Sequence, residues 1–143
     1  AADLFTTSAL SILLDTHAWI WWLTGQPELL RRQAEALDRL AERQLPYLSA
    51  ISLWEARMLN AKGRLKLDLP FDRWLREAAS PEVVRILQLD VEVVLGLSTL
   101  PARFRGDPAD RIIVATARAF NLPLLSFDAA IRKARVVRLW KAP

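Results

Sequence analysis

The sequence predicts an α/β domain: a mostly parallel sheet of four to five strands, flanked by helices on both faces. Three observations carry this expectation. Short apolar runs recur at Ile12–Asp15, Tyr47–Ala50, Val83–Leu89 and Leu124–Phe127, the length and character of strands buried on both sides. Segments with helical spacing separate them, and that alternation argues for βαβ units with right-handed crossovers. Two of the runs, the first and the last, end directly in an acid, Asp15 and Asp128. In open α/β sheets ligands sit just beyond the carboxyl ends of the strands, so these acids are placed at a functional edge.

The elements follow in order. After the first strand, Thr16 to about Thr24 reads as a short helix, with Gly25 as its C-terminal cap. Pro27 is expected to open a second helix, whose apolar face is Leu30, Ala34, Leu37 and Ala41. Tyr47–Ala50 is the second strand. Ser52 to about Ala61 forms a third helix, stopped near Gly63, and Pro70 starts a fourth with Phe71, Trp74, Leu75 and Ala78 on one side. Val83–Leu89 is the third strand. Asp90 to about Leu97 is a helix expected to turn Val94 and Leu97 inward. Asp107 caps a strong helix from Pro108 to about Phe120. Leu124–Phe127 is the fourth strand, and Val136–Trp140 is a candidate last strand at the edge. Residues 1–10 read as a flexible N-terminal tail and 11–143 as one domain.

Composition narrows the chemistry. With 143 residues, 52% of them hydrophobic, the chain can bury a normal core. It has 20 Lys and Arg, mostly Arg, against 16 Asp and Glu, for a net charge of +4; this suits a phosphate-rich partner and equally a merely soluble basic protein. The absence of cysteine and the single His17 exclude disulfides, thiolate metal sites and multi-histidine zinc sites. No apolar run approaches a membrane span, and Ala1–Ala9 lacks the basic region of a signal peptide. A cytoplasmic protein with no membrane contact is the simplest expectation.

Four acids fall at the same topological edge, each with a local alternative. Asp15 could cap the helix that follows it. Glu55, in Ser52-Leu53-Trp54-Glu55, has the spacing of a capping box. Asp110 falls in the first turn of its helix, where the helix dipole favours an acid by roughly 0.3–1 kcal/mol; the cap there is assigned to Asp107 and the chemistry to Asp110. Asp128 could cap the short helix Ala129–Arg132. Taken together, carboxylates gathered at one mouth repel one another unless a cation compensates. With oxygen ligands only, that cation is Mg²⁺ or Mn²⁺, and the chemistry is hydrolysis at phosphorus by a metal-activated water. Thr16 and Ser52 could hold the water or a carboxylate, and Arg111 could neutralise phosphate or pair with an acid.

These residues also carry a family resemblance. Leu13-Leu14-Asp15-Thr16-His17-Ala18, Ser49-Ala50-Ile51-Ser52-Leu53-Trp54-Glu55, Asp107-Pro108-Ala109-Asp110-Arg111-Ile112-Ile113-Val114-Ala115-Thr116-Ala117 and Leu124-Leu125-Ser126-Phe127-Asp128 resemble the PIN-domain ribonucleases, above all the VapC-type toxins of prokaryotic toxin–antitoxin pairs. The likeness spans about Ile12 to Trp140, four motifs in the right order. It implies a PIN-like nuclease domain over 11–143, with Asp15, Glu55, Asp110 and Asp128 as the metal-binding, catalytic acids. It further implies an endoribonuclease that uses Mg²⁺ or Mn²⁺ on an RNA substrate, a homodimer, and a cognate antitoxin protein as partner. Ser126-Phe127-Asp128 departs from the threonine-then-basic lead-in usual in the family.

Other readings stay open. A non-catalytic RNA-binding module of the same fold would use the Arg-rich loop Arg103–Arg111. A phosphoacceptor would use Asp15 as nucleophile, although Asp15-Thr16-His17 lacks a second acid two positions on. Dinucleotide binding fails for want of a Gly-rich turn after strand one. Trp19, Trp21 and Trp22 share one helix and cannot all face the core; packing or an interface suits them better than base stacking. His17 suits a structural or substrate-contacting role better than metal ligation.

Overall fold

A computed structural model describes residues 11–143; the tail expected over residues 1–10 lies outside the described residues. Four strands form one sheet: β1 (Leu13–Leu14), β2 (Tyr47–Ser49), β3 (Arg85–Leu87) and β4 (Leu124–Leu125). The order is β3-β2-β1-β4, and all three pairings are parallel. Among the described residues seven helices connect and flank them: α1 (Thr16–Thr24), α2 (Arg31–Arg43), α3 (Ile51–Ala61), α4 (Phe71–Ala78), α5 (Val91–Leu97), α6 (Pro108–Ala119) and α7 (Ala129–Ala134). This is the α/β architecture that the alternating pattern predicts.

The two residues of β1 show why helices cover both faces. Successive side chains of a strand point to opposite sides. Leu14 joins a core with Trp19, Leu37, Leu48 and Trp74. Leu13 joins another with Phe104, Ile113, Val114 and Leu124. Both leucines are fully buried, so β1 is the floor of two apolar layers. Trp19 is fully buried as well, and its indole Nε1 donates to the Ala78 carbonyl at 3.0 Å. Its neighbours on α1 diverge as helical geometry requires: Trp22 donates to Asp38 on α2 at 2.9 Å, while Trp21 packs on Phe127.

Several boundaries differ from expectation. The strands are shorter, because the ladder ends where the chain turns into each helix. Pro27 opens a turn, and α2 begins only at Arg31; Leu30 is left exposed at its N-cap. On α5, Val93 is fully buried and Val94 is turned outward. The cause is the cap: Asp90 accepts from Val93 N at 3.0 Å, and the face that meets α6 is then Val93, Gly96 and Leu97, with Gly96 against Ala115. The expected strand Val136–Trp140 is reduced to one parallel bridge, Leu139 to Leu124. Gly25 ends α1 at φ 65°, a left-handed position suited to glycine. Among the described residues no helix is long and apolar enough to cross a membrane.

Candidate active site

All four strands run the same way, so their carboxyl ends share one edge, where α1, α3, α5 and α7 follow the strands and α6 also begins. Sheet register sets the first contact. Leu14 pairs with Leu125, so the next residues on each chain, Asp15 and Ser126, stand side by side. Ser126 Oγ donates to Asp15 Oδ2 at 2.6 Å, and Thr16 N donates to Asp15 Oδ1 at 2.7 Å. Asp15 is only 4% exposed. Burial pushes its carboxyl up from the usual range, while the two hydrogen bonds pull it back.

Glu55 enters from the neighbouring strand connection. The capping-box alternative is not what forms: α3 begins at Ile51, its N-cap is Ala50, and the hydroxyl that takes up the first amide, Ile51 N, is that of Ser49 at 3.2 Å, not that of Ser52. Ser52 is fully buried inside the helix. Its hydroxyl meets Thr16 Oγ1 at 2.8 Å, and Thr16 Oγ1 bonds Glu55 Oε1. Thr16 has one proton to give. When Glu55 is ionised the chain therefore runs Ser52 to Thr16 to Glu55, each hydroxyl donating onward.

The third arm is α6. Asp107 caps it, accepting from Asp110 N at 2.8 Å. Asp107 does more than cap: Glu55, Asp107 and Asp110 offer oxygens that all lie within 4.8 Å of one another. Sequence reasoning assigned this residue to the cap alone. Its pairing with Asp110 at N-cap and N3 was a signal that both acids face one way. Gly106 makes the approach feasible, since a Cβ there would stand 2.6 Å from the Phe104 ring and 3.0 Å from Asp110 Cβ.

Asp128 borders the same cleft. It also caps α7, accepting from Ile131 N at 2.9 Å, and its own N–H donates to Ser126 Oγ at 3.1 Å. Ser126 thus ties the first acid to the last, a role that the unusual Ser126-Phe127 lead-in concealed. Arg111 turns away: its guanidinium donates to the Phe104 carbonyl at 3.1 Å and steadies the loop before α6.

The cleft measures about 270 Å³ and is lined by Asp15, Glu55, Asp107, Asp110 and Asp128, with His17, Trp21 and Phe127 completing the wall. No Lys or Arg is among these residues. The ion pairs of the described residues lie on exposed helix surfaces, as in Arg31–Glu35, Arg73–Glu77 and Arg76–Asp72. The acids therefore meet one another with no lysine or arginine beside them, and only Asp15 is pulled down by a neighbouring charge, that of His17. Burial, then the charges of Asp15, Asp107 and Asp128, pushes Glu55 up to about 7 against the pull of Thr16. Burial, then the charges of Asp15, Asp107, Asp128 and Glu55, pushes Asp110 up to about 7. Such a set fits a hard divalent cation: it is all oxygen, it converges, and it is electrostatically unsatisfied.

Residues 12–137 match the family model of the PIN domain. Ribonuclease VapC22 of Mycobacterium tuberculosis is 33% identical over 125 residues, 87% of this chain and 92% of that protein. FitAcB from Neisseria gonorrhoeae superposes with a TM-score of 0.67 at 29% identity, over 92% of this chain and 97% of its own. VapBC2 from Rickettsia felis, solved bound to a DNA fragment from its promoter, gives a TM-score of 0.69 over 91% and 97%. Its identity is 15%, a likeness of fold. The matching model, the relative's coverage and the acid-lined sheet edge agree: this chain belongs to the PIN-domain family.

Proposed function

We propose that this PIN-domain protein is a metal-dependent endoribonuclease, the toxin half of a toxin–antitoxin pair. The observation that carries the reading is the convergence of five carboxylates in one cleft with no lysine or arginine among its lining residues. The relative named a ribonuclease, matched over nearly its whole length, supports RNA as the substrate. The solved neighbours VapBC2 and FitAcB support an antitoxin protein as partner. A cytoplasmic homodimer completes the reading.

Asp15, Glu55, Asp110 and Asp128 would hold the ion, and Asp107, whose oxygen lies within 4.8 Å of those of Glu55 and Asp110, would join them. When bound, Mg²⁺ or Mn²⁺ supplies positive charge at the scissile phosphate and a more acidic water. The chain's own residues do the rest. Ser126 and the Thr16 amide fix Asp15 in one orientation, which limits the reorganisation left for the reaction. Thr16, backed by Ser52, holds Glu55 Oε1 and leaves Oε2 to take up a proton. Hydrolysis forms a bond from water oxygen to phosphorus and breaks the bond from phosphorus to the leaving oxygen. The attacking water must lose a proton, which a carboxylate of the cleft can accept, and the leaving oxygen takes one up.

Purified protein with Mg²⁺ or Mn²⁺ should cut single-stranded RNA. Asp15→Ala and Asp110→Ala should each abolish cutting while the circular dichroism spectrum stays folded. Cutting that survives both substitutions defeats the site. Salt-sensitive RNA binding without any cutting points instead to a binding module of the same fold.

A further inference from the structure

The acid cleft presents its own difficulty for a polyanion. Five carboxylates repel every phosphate except the one that meets the cation, so substrate must be held from outside the cleft. One wall leads outward. Trp21 touches two rings, its centroid 5.3 Å from that of His17 and 5.5 Å from that of Phe127, both contacts tilted. His17 and Trp21 sit four residues apart, on one face of α1. The same pair lines a second cavity of about 310 Å³. That cavity carries two bases, Arg64 and Lys66, against one acid, Glu28. Neither base enters an ion pair with a described residue, and both are exposed.

The two cavities are linked by α3 as well. Glu55 sits near its start, and Arg64 follows its end across Gly63, at φ 68°. Six residues of helix separate Glu55 from the last turn at Ala61, roughly 9 Å at 1.5 Å per residue. That length is on the scale of a step or two along an extended strand.

We infer that the second cavity is a subsite for the nucleotide next to the scissile phosphate. Its base lies on Trp21 and His17, and its phosphate is held by Arg64 and Lys66. The inference rests on the ribonuclease reading above. A base stacked inside a duplex cannot lie on a protein ring, so the subsite takes an unpaired nucleotide.

The test uses the full chain carrying Asp110→Asn, to slow cutting, and a short fluorescent single-stranded RNA followed by anisotropy. Adding Trp21→Ala should weaken binding about tenfold, within the range of one lost base stack, and Trp21→Phe should keep most of the affinity. Arg64→Ala and Lys66→Ala should each lower the slope of log affinity against log salt by about 0.7. These two exposed positions keep the test decisive if Trp21→Ala proves unstable by thermal melting. With Asp110 intact, the same changes should raise KM more than they lower kcat. Binding within twofold and an unchanged salt slope in the variants, while the unaltered chain still cuts RNA, would overturn the subsite and leave the nuclease standing. Failure of the unaltered chain to cut brings down the nuclease reading, and the subsite with it. Variants that keep RNA but lose a protein antitoxin would overturn the subsite too, assigning the cavity to the protein partner.

Discussion

Asp15 and Trp19 are one helical turn apart, joined by the bond from Trp19 N to the Asp15 carbonyl at 3.0 Å. Both are buried, and their side chains answer burial in opposite ways. Trp19 places its large apolar surface between Leu14 and Trp74 and satisfies its only polar atom on Ala78, so burial stabilises it. Asp15 has both oxygens bonded and is still pushed up by burial. The apolar body beneath the sheet edge therefore stabilises the fold, while the edge opposes it until a cation arrives. Stability and function lie within a few residues of each other but respond to mutation with different signs.

The widest separation is expected from Asp110→Asn. Cleavage should fall on the order of a thousandfold as transition-state charge stabilisation is lost. The metal-free protein should melt at the same temperature or higher, because a like charge has gone. A lower melting temperature would break the comparison. Trp19→Ala works from the other side. It should lose about 3–5 kcal/mol of stability in urea unfolding, the usual cost of a buried aromatic, and activity should disappear only as the folded fraction does.

Between these lies Ser126→Ala, which removes one of the two donors to Asp15. It should reduce cleavage about ten- to a hundredfold, as loss of a group behind a metal ligand does, with little change in melting. Gly106→Ala couples the two regions, since its Cβ must displace either the Phe104 ring or Asp110. About 1–3 kcal/mol of overpacking cost is expected, together with weaker metal affinity by calorimetry.

The smallest effect is on pH. Glu55 and Asp110 titrate near 7 in the folded protein, against ordinary values of 4.5 and 3.8. The folded state therefore binds more protons than the unfolded one between those limits. Their favourable contribution is complete below the ordinary values and is lost as pH rises through 7. Metal-free protein should melt a few degrees lower at pH 7.5 than at pH 5, and Mg²⁺ should restore more stability at pH 7.5. A melting temperature that rises over this range without metal would contradict the electrostatic account of the edge.

Much of the architecture was legible because its signals are local. The acid at the end of an apolar run, Gly25 after Thr24, and Asp107 before Pro108 each describe a boundary through two or three neighbouring residues, and all three stand where expected. At Ser52 and Glu55 the local signal was ambiguous. Their spacing fits a capping box, but a hydroxyl from α1 competes for both, and the longer-range bonds prevail. Ser126 had no local signal at all, because its tie to Asp15 spans 111 positions. Val94 was misplaced by one residue because the side-chain cap at Asp90 set the phase of α5.

Period, punctuation and composition by themselves determined a parallel α/β domain with acids at the ends of strands, since each is a property of a few contiguous residues. Which acids share a cleft, which hydroxyl orients which carboxylate, and how far burial and mutual repulsion raise their pKa values were decided by tertiary structure alone. Sheet register and helix approach set those distances, and both charge repulsion and desolvation depend on distance rather than on order along the chain.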